Sequence, residues 1–309
     1  MRPGTYKGQY QEWIDFYKQG MSLRELADKY KCSVGIIWHT LNRYGVDRRS
    51  RSEAVRKYEI TNEGFFNVIN DERKSYWLGF MMADGCVRIG RKKDKTVSIS
   101  LQSRDSDHLV KFKEAIGTAI PIQCYHYEYR HDLARVQICS SRLFDDLVSH
   151  GCIPNKSLVV EFPRNIPGKL YRHFIRGYFD GDGWVSVYHT FGIVGGESML
   201  ISIREIFHRF IGLNVVKFVH DKQTDHILRL QYRGRRQFSK IYRWLYDDST
   251  VWLDRKRRRF EELMKFPSSV QHSEPLIILS RCAGSLTSGS MIHKTGNPNF
   301  SANSKSLVS

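Results

Sequence analysis

The chain has 309 residues, 41% of them hydrophobic, so it can bury a sizeable core and has room for two or three small units. Its formal charge of +17, with pI near 9.6, points to a polyanionic partner, nucleic acid before all others. No amphipathic basic helix and no long apolar span is found, which disfavours an acidic membrane as the partner. MRPGTYKGQY has no apolar run that would indicate secretion, and the six scattered cysteines, without metal-binding spacing, read as reduced core thiols of an intracellular protein.

In chain order, the spacing of Tyr10, Trp13, Ile14 and Tyr17 predicts a helix over 6–19, stopped by Gly20. Ser22-Leu-Arg-Glu25 spells a capping box opening a second helix to Tyr30. Ser33 can cap a third helix that runs to Tyr44 and ends at Gly45, with Ile37 and Leu41 on its buried face and Ala27 where the crossing helix needs a small side chain. Residues 1–58 therefore read as a small all-α unit of helix-turn-helix type. Arg43, Arg48, Arg49 and Arg51 follow its third helix closely, which favours DNA. On that reading Gly35, His39, Asn42 and Arg43 face the major groove, while Arg48 and Arg49 grip phosphate.

Residues 59–72 read as a linker. The next stretch, Ser75 to Val87, has a counterpart at Tyr171 to Val185: superposed at Asp84 and Asp182, both carry a glycine five residues upstream (Gly79, Gly177), a small residue before the aspartate (Ala83, Gly181), and Asp-Gly-x-Val. Gly79/Ala83 and Gly177/Gly181 each stand at i and i+4, one stripe of a helix where a second backbone can approach. Two such helices packed together would bring Asp84 and Asp182 side by side at their C-terminal ends. A single Asp-Gly of this kind is an ordinary turn signal; two copies in one register are not.

After the first copy, strands are predicted at Cys86–Ile89 and Thr96–Gln102, a helix at Ser106–Ile116, strands near Ile122–Tyr129 and Ala134–Ser140, and a helix at Ser141–His150. After the second come strands at Trp184–Tyr188 and Phe191–Val194, a helix at Glu197–Phe210, strands at Val215–His220 and His226–Tyr232, and a helix at Arg236–Tyr246. This is an internal duplication with a period of 98 residues, from position 84 to position 182. Lys156 and Lys256 each follow the last predicted helix of their unit. The fold class expected is α+β: two tandem αββαββα units, 73–163 and 164–265, in a pseudo-twofold arrangement that forms a DNA-binding saddle, preceded by the small all-α domain. Ser98, Ser100 and Gln102, then His126, Glu128 and Arg130, alternate on the outward face of the first sheet; Lys217, His220, Arg229, Gln231 and Arg233 do so in the second. The Ser-, Gly- and Asn-rich tail, 266–309, is expected to be disordered.

The two stretches resemble the paired motifs of the LAGLIDADG homing endonucleases: WLGFMMADG and IRGYFDGDG stand where that family has its signature. Trp77-Leu78 and Ile175-Arg176 fill the first two places, and Met82 replaces the first aspartate of copy one, but the final Asp-Gly is intact in both. The resemblance spans roughly Arg73 to Leu263. It implies that Asp84 and Asp182 are metal ligands, that Lys156 and Lys256 are the supporting basic residues, and that Gln102 positions water. Residues Phe191–Gly195 offer no counterpart of Gln102, so unequal support for the two strand cuts is expected. Asp180 is read as a supporting group or a surface carboxylate.

Two carboxylates brought together at helix C-termini repel each other and meet an unfavourable dipole, and Mg²⁺ would offset both effects. The function expected is site-specific double-strand DNA cleavage by a monomer whose long target need not be palindromic. An intein is disfavoured, since the chain starts at Met1 and ends at Ser309. Two alternatives stay open: an intron maturase binding RNA through the same sheets, and a non-cleaving transcriptional regulator.

Overall fold

Hydrophobic spacing at the N-terminus closes a core of its own. The computed structural model describes residues 8–18, 21–47, 58–91, 93–154, 160–220 and 228–265. Helix α1 (Tyr10–Lys18) buries Trp13, Ile14 and Tyr17. Ser22 caps α2 (Leu23–Lys29) reciprocally: its Oγ accepts from the Glu25 N–H at 3.1 Å, and its own N–H donates to Glu25 Oε2 at 2.7 Å. Ser33 caps α3 (Val34–Arg43) by accepting from the Ile36 N–H at 3.3 Å. Leu26, Ala27, Ile37 and Leu41 complete the cluster.

The segment expected to be a linker is not one. Ile60, Phe65, Phe66 and Ile69 are no more than 5% exposed and belong to the main core, and Ile60 bridges Thr118. Four large apolar side chains within ten residues have too much surface to leave in water.

The first unit then runs α4 (Glu72–Ala83), β1 (Gly85–Ile89), β2 (Lys95–Gln102), α5 (Ser106–Ile116), β3 (Gln123–Tyr125), β4 (Leu133–Cys139) and α6 (Ser141–Ser149). The second runs α7 (Tyr171–Asp182), β5 (Gly183–Ser186), β6 (Thr190–Gly195), α8 (Glu197–Ile211), β7 (Val219–His220), β8 (Leu228–Arg233) and α9 (Arg235–Tyr246). Their antiparallel sheets have the same strand order, β1-β2-β4-β3 and β5-β6-β8-β7, so the chain is α+β and duplicated. In each sheet the first strand of the pair begins at the glycine after the motif aspartate, with Gly85 opposite Ile99 and Gly183 opposite Ile193.

Two features differ from expectation. Strands β3 and β7 are shorter, and His126, Glu128 and Arg130 lie past β3 in a turn where His126 Nδ1 pairs with Asp132 Oδ2 at 2.8 Å. A further helix, α10 (Asp254–Lys265), follows α9 and packs on it. No helix among the described residues is long and apolar enough to cross a membrane.

Each sheet sends one row of side chains into the core: Val97, Ile99, Leu101, Val136 and Ile138 in the first, Phe191, Ile193, Leu230 and Tyr232 in the second. The opposite faces carry the polar row, with Arg88, Ser98, Ser100 and Gln137 in the first sheet and Arg229, Gln231 and Arg233 in the second.

Candidate carboxylate site between the motif helices

Helices α4 and α7 cross at their glycines. A Cβ added to Gly79 would overlap the carbonyl oxygen of Phe174, one added to Gly177 would overlap that of Tyr76, and one added to Gly181 would overlap the Ala83 methyl. The backbones therefore touch, which only residues lacking or nearly lacking a side chain permit. Gly181 would carry its Cβ 3.2 Å from the Asp84 backbone nitrogen. The residue before Asp182 thus lies against Asp84, and both aspartates stand at the same end of the helix pair. Asp84 caps α4, its N–H donating to Phe80 O at 3.0 Å, and Asp182 is the last residue of α7. Both are half-buried.

Lys256 joins them from α10. Its ammonium donates to the carbonyls of Phe179 at 2.7 Å and Gly181 at 2.9 Å, and the residue is only 8% exposed. It thereby satisfies carbonyls at the C-terminal end of α7 and places a cation at the negative end of its dipole. Burial lowers its pKa to about 8; the charges of Asp180, Asp84 and Asp182 pull the other way. Sequence spacing put Lys256 beyond the last helix of its unit, whereas it opens α10 and is buried. The signal was present: Leu253, Lys256, Phe260 and Leu263 share one apolar stripe, and the lysine occupies a core place in it. Its proposed partner in the first unit, Lys156, lies outside the described residues.

Asp180 is neither a surface carboxylate nor part of the open site. It is 1% exposed and accepts from Tyr76 Oη at 2.7 Å, Tyr246 Oη at 3.3 Å and the Leu253 N–H at 2.7 Å. Burial raises its pKa, opposed first by the Lys256 charge. Arg176, one turn earlier, is fully buried and donates to Glu72 Oε1 at 2.6 Å, Leu245 O at 2.7 Å and Val251 O at 2.9 Å. The arginine in the second place of the motif thus bolts α7 to the start of α4. Nothing in its local sequence marks it as buried. Tyr178, also on α7, has its phenol pushed well above 10 by burial and by the Asp182 charge.

The open sheet faces carry the other candidates. Ser98, Ser100 and Gln102 share one face of β2, but Ser98 and Gln102 are 5% and 9% exposed. Ser98 is covered by a longer neighbour, Arg135, whose Nη2 donates to its Oγ at 3.3 Å. Arg88 and Gln137 are among the exposed groups on that face, with Cys86, Gln123 and Tyr125, while Arg135 and Ser100 are half-buried. Gln102 closes β2 opposite Leu133; counting from Ile99 and Ile193, its counterpart is Gly196, the cap of α8. In the second sheet Arg229, Gln231 and Arg233 face Val194, Gly192 and Thr190 across β6, half-buried to exposed. On α3, Gly35, His39, Asn42 and Arg43 are exposed, with the His39 ring packed edge-on to Trp38 at 4.7 Å. Arg48 and Arg49 lie outside the described residues. Among the described residues no group of three or more His, Cys, Asp or Glu side chains converges as a metal cluster.

No protein-family model matches the chain, and no curated protein does so. Among solved structures it is similar to the LAGLIDADG meganuclease I-AabMI bound to uncleaved DNA, with a TM-score of 0.43 and 11% identity, covering 63% of this chain and 89% of that one. The homing endonuclease I-WcaI bound to its DNA recognition sequence scores 0.45 at 11% identity, covering 62% of this chain and 87% of that one. Full-length DUF199/WhiA from Thermatoga maritima scores 0.41 at 16% identity, covering 66% of each chain.

Proposed function

We propose that this chain is a double-strand DNA endonuclease that acts as a monomer, with Asp84 and Asp182 as its paired acidic residues. The observation that carries the reading is the helix crossing: two repeats bring one carboxylate each to the same end of a backbone-to-backbone contact, each directly before the first strand of its sheet. Duplex DNA has two strands to cut and its own local twofold symmetry, so a pseudo-twofold acidic pair matches it. Because the halves differ in sequence, the target need not be a palindrome.

A carboxylate pair that no third His, Cys, Asp or Glu joins among the described residues fits Mg²⁺, which takes one or two carboxylates and completes its shell with water and phosphate oxygens. When bound, the ion would be held by Asp84 and Asp182, and it supplies charge neutralisation at the phosphate and a more acidic bound water. The chain's own part is to hold those carboxylates side by side against their repulsion. Lys256 adds a fixed positive charge behind them, and Gln102 is assigned to orient water on the first-unit side. Arg88, Arg135, Gln137, Arg229, Gln231 and Arg233 would meet phosphates and base edges. The third helix of the N-terminal unit reads further sequence through His39, Asn42 and Arg43.

The test is incubation with Mg²⁺ of a supercoiled plasmid carrying the DNA that flanks this gene, joined without it. Wild-type protein should linearise the plasmid. Asp84→Asn and Asp182→Asn should not, while binding it within about tenfold of wild type, a difference of ~1.4 kcal/mol. Cleavage by either variant at the wild-type rate would remove the paired-site reading. Binding without cleavage by the wild type would favour the regulator, and preference for intron RNA the maturase.

A further inference from the structure

The six residues that lead from α9 into α10, Val251 to Lys256, are each tied to another part of the chain, and the ties divide between two destinations. Val251 O accepts from Arg176 Nε at 2.9 Å, the Leu253 N–H donates to Asp180 Oδ2 at 2.7 Å, and Lys256 Nζ reaches the carbonyls of Phe179 and Gly181. These three residues are bound to α7. The others go to the first unit. Lys111 Nζ, on α5, donates to Trp252 O at 3.0 Å and to Asp254 Oδ2 at 2.7 Å. Arg255 forks onto the carboxylate of Asp105, just before α5, with Nε–Oδ1 at 3.0 Å and Nη2–Oδ2 at 2.9 Å.

The pairs are unequal in weight. Lys111–Asp254 is a half-exposed pair and by itself contributes little. Arg255–Asp105 differs, because the Asp105 side chain is only 7% exposed and the contact has two-pronged geometry. A lysine side chain has a flexible four-carbon stem, and burying its charge is unfavourable unless its donors meet fixed acceptors. Whether Nζ reaches both carbonyls depends on where the first turn of α10 is held. The holding groups on one side, Asp105 and Lys111, belong to the other unit.

We infer that residues 251–256 form a seam between the two repeats, in which Asp105 and Lys111 of the first unit are positioning residues for Lys256, the cation that stands behind Asp182 of the second. The second unit's half of the site is then incomplete without the first unit. The inference rests on the endonuclease reading for its catalytic consequence, but its geometric part stands apart from that reading.

The test uses the full-length chain and two variants. Asp105→Asn with Arg255→Met removes both charges together, so that neither is left buried and alone; Lys111→Met removes only half-exposed contacts and keeps the question open to measurement if the double variant does not fold. Trace reductive methylation with formaldehyde and borane, read at each lysine by mass spectrometry, reports access to Nζ. Labelling of Lys256 should rise by about tenfold in the double variant and by less in Lys111→Met, with Lys74 unchanged. Protection of Lys256 equal to wild type in folded variants would overturn the seam. On a cleavable plasmid, both strands should be nicked more slowly in the variants, with DNA affinity within about threefold of wild type. Loss of affinity at an unchanged turnover rate would overturn the positioning role. A wild-type protein that cuts nothing would sink the endonuclease reading alone, and the labelling would still decide the geometry.

Discussion

Gly177 lies so close to the carbonyl oxygen of Tyr76 that a Cβ on it would overlap that atom. Gly79 stands in the same relation to Phe174, and each residue of one contact is 98 positions from its equivalent in the other. The crossing is therefore a twofold contact made within one chain.

That symmetry predicts matched losses. Gly79→Ala and Gly177→Ala should each destabilise the folded chain by roughly 1–3 kcal/mol or more, since the methyl meets rigid backbone and not a side chain that can turn away. Urea unfolding measures this. If either substitution cost less than about 0.5 kcal/mol, as neutral surface changes do, the close crossing would be wrong.

His108 makes stability sensitive to acid. It is 2% exposed, its Nε2 lies 3.0 Å from Tyr76 Oη, and its Nδ1 has no partner among the described residues. Tyr76 donates to Asp180, so the imidazole Nε2–H donates to Tyr76, and a proton added at Nδ1 would be buried without an acceptor. Burial, then the charges of Lys111 and Lys256, lower its pKa to about 3. The unfolded chain, with an ordinary pKa near 6.5, takes up the proton first. Stability should accordingly fall as pH drops below about 6.5, by up to ~1.4 kcal/mol per pH unit from this group, and be insensitive to it above about 7. His108→Gln keeps a donor to Tyr76 and does not titrate. Its urea midpoint should change less than that of wild type between pH 7.5 and 5; parallel changes would count against His108.

Gln102 has an amide where the second unit has Gly196. If that amide orders the attacking water, Gln102→Ala removes one positioned hydrogen bond, roughly 1–3 kcal/mol on one cut. Nicked plasmid should then accumulate before linear product, with one particular strand intact. Strand-specific end-labelling that showed equal slowing of both cuts would assign Gln102 to packing at the end of β2, which its 9% exposure also fits.

On α3, replacing His39, Asn42 and Arg43 together by alanine should weaken target binding by roughly 100-fold or more and flatten preference among related sequences, at roughly 1–3 kcal/mol per lost base contact. None of the three is buried, so thermal unfolding should not move. Unchanged specificity in a gel-shift competition would leave that unit without a reading role.

What could be read in the amino acids alone was whatever is local or repeats. The caps at Ser22 and Ser33, the strand alternation at 96–102 and the two Asp-Gly motifs at one register all depend on neighbours a few residues apart, and they led to the duplicated α+β fold and to Asp84 and Asp182. Residues 59–72 looked like a linker because their apolar groups show no clean period, and only the core shows where Phe65 and Phe66 go. Lys256, Arg176 and Asp180 are of a kind that normally stays in water. Their burial became tolerable only when carbonyls, hydroxyls and opposite charges arrived from segments up to 104 positions away, as Glu72 does for Arg176. A buried charge is stabilised by partners that converge in space, and that convergence belongs to the tertiary structure.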